Sequence, residues 1–144
     1  MSPATIALTL ATIVLWGVIP LIDKVAVGHA AVSPLVGIAI RATAVVVLAV
    51  PLALWAGDAG PALRALPWRV VGLYAASGVV SLLLAQYAYY TLLRQADVAR
   101  VFPLLFAAAP VVTVGLAIAL LGESLTPRQA LGTLLIVGGG LLML

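Results

Sequence analysis

Residues 34–55, PLVGIAIRATAVVVLAVPLALW, contain one charged side chain, Arg41, and are otherwise almost entirely apolar. A bilayer core of about 30 Å needs a helix of about 20 mostly apolar residues. Ser33 places a capping hydroxyl before Pro34, and proline is favoured at the first helical position because its missing N–H costs nothing there. The stretch therefore predicts a transmembrane helix.

Four further stretches of similar character lie on both sides of it. Ser2-Pro3 and Thr126-Pro127 repeat the hydroxyl-proline start, and Gln129 completes a predicted capping box with Thr126. Asp97 is also placed to cap a helix. We expect helices at about 3–24, 34–55, 67–93, 98–121 and 127–144, and the last would span about 27 Å. The predicted fold class is an all-α integral membrane protein, a bundle of five transmembrane helices that forms one domain over residues 1–144.

The overall composition agrees with a membrane protein. Hydrophobic residues make up 65% of the 144 residues and charged residues 8%, against roughly 45–50% and about 25% in soluble domains. The mean hydropathy is +1.31. Cysteine is absent, which excludes disulfides and cysteine metal sites. The net charge of +3 comes without a basic run, so nucleic acid is not an expected partner.

Five helices would place the two termini on opposite sides of the membrane. The basic residues outside the second helix then divide three to three, with Arg64, Arg69 and Arg128 on one side and Lys24, Arg94 and Arg100 on the other. Arg41 makes the count four against three if its side chain reaches the nearer interface. Such a balance gives almost no orientation signal. Insertion both ways, followed by pairing into an antiparallel homodimer, is one interpretation. A single orientation fixed by some other feature is the alternative.

Arg41 lies about 10 Å beyond the start of its helix. A charge at the centre of a transmembrane helix costs about 2.5–3.5 kcal/mol, and such a residue is a functional candidate by default. Alternatively, the side chain reaches the headgroups, or it pairs with Asp23 or with carbonyls at a helix end.

Charged residues at predicted helix ends are candidate gate residues. Asp23 and Lys24 are expected to close the first helix, just after Pro20, and Glu123 follows the fourth. A terminal lysine also commonly serves as a membrane anchor. Because no carboxylate is expected deep in a span, a proton relay through a buried acid is not predicted.

Polar aromatic residues cluster near the end of the third helix, where Gln86 stands beside Tyr87, Tyr89 and Tyr90. Their hydroxyls would orient a polar substrate in a cavity, or the rings would form an interfacial belt. The candidate substrate-binding residues are Trp16, Arg41, Tyr87 and Tyr90.

Motifs of enzymes and metal sites are absent from the sequence. His29 is the single histidine, and neither a phosphate-binding loop nor a nucleophile elbow occurs. We therefore predict no enzymatic activity, no cofactor and no metal.

The order of several short motifs resembles a single EamA-type domain of the drug/metabolite transporter superfamily. The motifs are Leu15-Trp16-Gly17 followed by Lys24, then Arg41, Pro110-Val111-Val112, Leu121-Gly122-Glu123-Ser124-Leu125-Thr126, Gln129, Gly132 and Leu135-Ile136-Val137-Gly138. Family members typically carry two such domains in inverted orientation, ten helices in all. The resemblance implies that this chain is equivalent to one inverted-repeat half.

The resemblance also implies a secondary transporter of small solutes, such as amino acids or other metabolites, often exported. It would work by alternating access, in the prokaryotic inner membrane, as an antiparallel homodimer or paired with a related second chain. A lipid-linked carrier flippase and a non-transporting subunit that docks a partner protein are the alternatives. An end at Leu144 also fits one half of a longer ten-helix protein. The membrane-embedded glutamate of small multidrug resistance proteins has no counterpart in residues 3–24.

Overall fold

The computed structural model describes residues 2–29, 33–57 and 59–142. Within these residues the secondary structure is entirely helical. The helices are α1 (Pro3–His29), α2 (Pro34–Trp55), α3 (Ala59–Ala65), α4 (Trp68–Gln95), α5 (Val98–Leu121) and α6 (Pro127–Leu141). The part of α4 from Val79 to Ala85 is π-helical.

Four of these helices are long and apolar enough to cross a membrane, namely α1, α2, α4 and α5. The described part of α6 has 15 residues, which span about 23 Å at 1.5 Å per residue. Residues 143 and 144, which complete the predicted fifth span, lie outside the described residues. For the residues it describes, the structure thus confirms the all-helical fold class, with four helices of membrane-spanning length and hydropathy.

The helix starts differ in how they are capped. Gln129 N donates to Thr126 Oγ1 at 3.4 Å, and Thr126 N donates to Gln129 Oε1 at 2.9 Å, which confirms the predicted capping box. Ser2 Oγ accepts from Thr5 N at 3.2 Å. Ser33 and Asp97 are the N-cap residues of their helices, which confirms the predicted position of Asp97, but neither side chain makes a capping hydrogen bond.

Two helical regions extend beyond the sequence-based expectation. α1 continues five residues past Lys24, because the apolar residues Val25, Ala26 and Val27 carry the helix on. The short helix α3 lies between the predicted helices 34–55 and 67–93, where no helix was expected. The longer α1 matters most, since it places Asp23 inside a helix.

The chain divides into two compact units, of which one comprises Met1–Leu21 and Gln95–Leu144. In this unit α5 packs against α6, where Gly140 is buried directly against the methyl group of Ala107. Gly122 ends α5 in the left-handed conformation, with φ +67°, and its backbone N–H donates to Ala117 O. A left-handed glycine is a common way for a helix to stop.

The second unit comprises Ile22–Arg94. The π-helical part of α4 packs against α2. Ile38 of α2 and Tyr90 and Leu93 of α4 are the buried apolar residues around which this unit is built. A π-helical turn frequently marks a functional position in a longer helix, and in α4 the polar residues Gln86 and Tyr90 come directly after it.

Candidate functional site

Asp23 lies within α1, six residues before the helix ends, and is 7% exposed. The expectation that Asp23 and Lys24 close the helix was therefore wrong. The apolar segment Pro3–Gly28 therefore contains a carboxylate, five residues before its end, where the sequence had suggested a helix terminus. Carboxylates inside a membrane segment need partners, since the bilayer offers none.

Arg41 supplies the charged partner. Its Nη1 donates to Asp23 Oδ2 at 3.2 Å, which joins α2 to α1 by an ion pair. The Arg41 side chain is 32% exposed and that of Asp23 is 10% exposed. Among the interpretations left open by the sequence, the structure shows the pairing with Asp23.

Two neutral side chains of α4 complete the surroundings of Asp23. Tyr90 Oη donates to Asp23 Oδ1 at 3.1 Å, and Gln86 Nε2 approaches Oδ2 at 3.4 Å. Residues four apart share one face of a helix, so Gln86 and Tyr90 reach the same carboxylate. We call Asp23, Arg41, Gln86 and Tyr90 the polar cluster.

A glycine makes room for this arrangement. A Cβ atom added at Gly37, one turn before Arg41, would lie 3.2 Å from Tyr90 Cε2. That separation is shorter than ordinary van der Waals contact. Gly37 therefore lets the Tyr90 ring lie against α2, where its hydroxyl reaches Asp23.

Lys24 fixes the same part of α1 to the end of α4. Its Nζ donates to the backbone carbonyl of Leu93 at 2.6 Å, and Leu93 is fully buried. Carbonyls in the last turn of a helix have no partner within the helix, and a basic side chain is a favourable one. Lys24 thus has a structural role here, holding α1 and α4 together beside the cluster.

The hydroxyl of Tyr89 is a further polar group in this region. It is buried and makes no hydrogen bond within the described residues. The ring centroid lies 6.2 Å from that of Tyr90. Tyr89 thus places a second tyrosine hydroxyl in the same region as the polar cluster.

Three of the predicted site residues lie outside the polar cluster. Tyr87 is 46% exposed and is not among the partners of Asp23. Glu123 is exposed in the connection between α5 and α6. Trp16 belongs to the other compact unit. The structure therefore brings together Asp23, Arg41 and Tyr90.

Trp16 lines a separate apolar cavity of about 600 Å³. Its ring meets Phe106 nearly edge-on, with centroids 5.9 Å apart, and Phe102 lies 4.3 Å from Phe106. The hydroxyls of Thr9 and Thr12 donate to carbonyls one turn earlier in α1, so they are already satisfied. The lining residues are Thr5, Leu8, Thr9, Thr12, Ile13, Trp16, Gly17, Phe102 and Phe106.

The polar cluster has the chemistry of a binding site for a charged solute. Guanidinium groups bind carboxylates and phosphates through two parallel hydrogen bonds, and a hydroxyl and a carboxamide stand beside Arg41. In the described part of the chain, no group of three or more histidine, aspartate or glutamate side chains is arranged to hold a metal ion.

Gln86 and Tyr89 are recognisable in the sequence as polar residues of an apolar helix, but their residue types alone did not assign them to a site. The signal for Gln86 was available, because it stands four residues before Tyr90 and so shares its face. Nothing in the sequence indicated that the Tyr89 hydroxyl would be buried, since that depends on how the helices pack.

The four long apolar helices, two of which are joined by a partly buried ion pair, are those of a multi-pass integral membrane protein. The sequence profile of the EamA-like transporter family matches residues 3–144. The chain belongs to this family, whose members are membrane transporters of small solutes rather than enzymes. No curated protein and no solved structure matches the chain significantly.

Proposed function

We propose that this protein is a secondary transporter that binds small anionic or zwitterionic solutes at the polar cluster. The observation that carries the proposal is the Arg41–Asp23 ion pair, held between membrane helices and contacted by Tyr90. Arg41 is the group that would bind a substrate carboxylate or phosphate. The protomer itself covers only part of the Arg41 side chain, which is 32% exposed.

The proposed mechanism is alternating access between two inverted five-helix protomers, with the substrate cavity between them. Transporters of inverted halves hold their substrate at the interface of the halves near the midplane. The near-even division of basic residues, three to three apart from Arg41, supports insertion in both orientations. We propose an antiparallel homodimer, with a related second chain as the alternative partner, in the prokaryotic inner membrane.

Flux through proteoliposomes tests the proposal. The purified chain is reconstituted, and uptake and release are measured for a panel of labelled amino acids, monocarboxylates and sugar phosphates. For the solutes that are carried, Arg41→Ala is expected to lower flux at least about tenfold, which equals about 1.4 kcal/mol of lost interaction. Arg41→Lys retains the charge but not the planar fork, so intermediate flux is expected.

Arg69→Ala is the matched control, because Arg69 is an exposed arginine at the start of α4. It removes the same charge from the chain without touching the polar cluster. Equal flux in Arg41→Ala and Arg69→Ala would contradict the role of Arg41. Two other residues predicted from the sequence lie outside the polar cluster. We propose that Tyr87 acts at the rim of the substrate cavity and Glu123 at a gate. The same flux assay on Tyr87→Phe and Glu123→Gln measures their contributions.

A lipid-linked carrier flippase is the second candidate, and the apolar cavity beside Trp16 favours it. A cavity of about 600 Å³ with aromatic walls suits a hydrocarbon chain better than a polar solute. Transbilayer movement of a fluorescent lipid-linked sugar, with no flux of the free sugar phosphate, would support this hypothesis. Trp16→Ala is then expected to slow the movement, and Trp55→Ala, at an exposed tryptophan outside the cavity, is not.

If neither free nor lipid-linked solutes are carried, the result would favour the third hypothesis, a non-transporting subunit that docks a partner protein. The three candidates are separable because each gives a different pattern of carried solutes.

A further inference from the structure

The carboxylate of Asp23 faces polar groups from two other helices. From α2 comes the guanidinium of Arg41, and from α4 come the Tyr90 hydroxyl and the Gln86 carboxamide. The neighbouring Lys24, on α1 itself, directs its ammonium group to the carbonyl of Leu93. Of the groups bonded to Asp23 in the described residues, Arg41 is the one that bears a charge.

The resting cluster is electrically balanced, since one carboxylate faces one guanidinium. An anionic solute that binds Arg41 changes this balance, because two negative groups then share one positive partner. Asp23 would keep only the neutral donors Tyr90 and Gln86. An uncompensated charge inside a membrane segment is unfavourable, and removing one partner of a buried ion pair leaves such a charge.

We propose that Asp23 is a proton-binding site, and that it takes up one proton when an anionic solute occupies Arg41. The proton converts the carboxylate to a neutral carboxylic acid, so the loaded cluster again carries no net charge. A zwitterion would supply its own ammonium group to Asp23 and would need no proton. The coupling of solute to proton rests on the proposed function of Arg41 in binding the anion.

Tyr90 and Gln86, the neutral partners of Asp23, can hydrogen-bond to it both as a carboxylate and as a carboxylic acid. A tyrosine hydroxyl donates and accepts, and a carboxamide carries both a donor and an acceptor group. Tyr90 and Gln86 can therefore donate to the carboxylate or accept from the carboxylic acid. The buried hydroxyl of Tyr89, without a hydrogen-bond partner in the described residues, is a further polar group beside Tyr90.

Infrared spectroscopy of the full chain in lipid bilayers tests the proposal without a substrate. Arg41→Gln removes the positive charge, as an anion bound to Arg41 would neutralise it. At pH 7 we expect wild type to lack the carbonyl stretch of a protonated Asp23, and Arg41→Gln to show it. The band should be missing from the double variant Asp23→Asn/Arg41→Gln, and its absence there would assign the band to Asp23. It should also be missing from Arg41→Lys, because lysine keeps the positive charge beside Asp23.

An Arg41→Gln protein without the band, or with a band that persists in the double variant, would overturn the proposal. Wild type supplies a second measurement if Arg41→Gln does not fold. On acidification, with helicity monitored by circular dichroism, we expect a carbonyl band that Asp23→Asn lacks. A wild-type Asp23 that stays ionised until the helices unfold would also overturn it. The infrared band is measured without transport. It therefore tests proton binding by Asp23, whereas the flux assay of Arg41→Ala tests the proposed function, and either can fail without the other.

Discussion

Arg41 Nη1 lies 3.2 Å from Asp23 Oδ2, and this contact joins two consecutive membrane helices across a separation of 18 residues. Tyr90, from a third helix, holds the other carboxylate oxygen at 3.1 Å. The carboxylate is therefore a meeting point of α1, α2 and α4. Its contribution to stability and its contribution to binding can be separated by experiment.

The ion pair should show thermodynamic coupling. Asp23→Asn and Arg41→Gln are each expected to lower the free energy of unfolding. Asp23→Asn leaves the charge of Arg41 without its partner, and Arg41→Gln removes the ion pair and requires Asp23 either to stay unpaired or to bind a proton. The double variant should recover part of the loss, with a coupling energy of about 0.5–3 kcal/mol. Unfolding of the purified protein in mixed micelles measures the three variants. Strictly additive losses would show that the contact does not stabilise the fold.

Gly37 should be intolerant of a methyl group. In Gly37→Ala the new Cβ would press on the Tyr90 ring, and overpacking of this kind costs about 1–3 kcal/mol. Gly72→Ala is the control, since a Cβ there meets nothing within 4 Å and alanine favours the helix by up to about 1 kcal/mol. The measurement is the thermal midpoint of both variants, with Gly37→Ala the lower. Equal midpoints would mean that the ring moves aside freely.

The packing of α5 on α6 gives a third prediction. Gly140→Ala is expected to destabilise the protein by about 1–3 kcal/mol, because the added methyl group collides with Ala107. At Gly139 the space is open, so Gly139→Ala should be harmless. Combining Gly140→Ala with Ala107→Gly should restore part of the loss. If the combination is no better than Gly140→Ala alone, the collision lies elsewhere.

Membrane topology is tested with one introduced cysteine, since the chain has none of its own. Ser124 is exposed in the connection between α5 and α6, and Ser124→Cys gives a single thiol there. If the protein inserts both ways, an impermeant thiol reagent should label about half of the molecules in intact cells. Labelling of all or none, compared with opened cells, would establish one orientation and direct the search to an inverted partner chain.

Hydropathy and capping chemistry were sufficient to predict the four long helices, but not the short α3. Lipid-facing segments must be long and apolar, and the capping box of Thr126 and Gln129 follows from local sequence alone. Helix ends were harder to predict. Asp23 and Lys24 looked like a terminus because charged residues usually avoid spans, but both have partners on other helices. Those partners compensate the charges and allow α1 to continue.

Two members of the candidate site, Arg41 and Tyr90, were predicted as substrate-binding residues, whereas the contacts within the site were not predictable. Arg41 and Tyr90 stood out as polar groups in apolar helices, and the pairing of Arg41 with Asp23 was one of several open interpretations. Choosing among them requires the register of α1 against α2, which depends on packing between helices. Trp16 and Tyr87 were grouped with Arg41 by residue type, yet the structure gives Trp16 an aromatic neighbourhood of its own.

The pairing of Asp23 with Arg41 also bears on how the chain enters the membrane during synthesis. Each charge alone opposes partition of its helix into lipid, at about 2.5–3.5 kcal/mol for a residue at the helix centre. Because α1 and α2 follow each other in the chain, both partners emerge from the ribosome before α4 exists. A helical hairpin of α1 and α2 can therefore leave the translocon with its two charges already neutralised, and α4 joins a preformed unit.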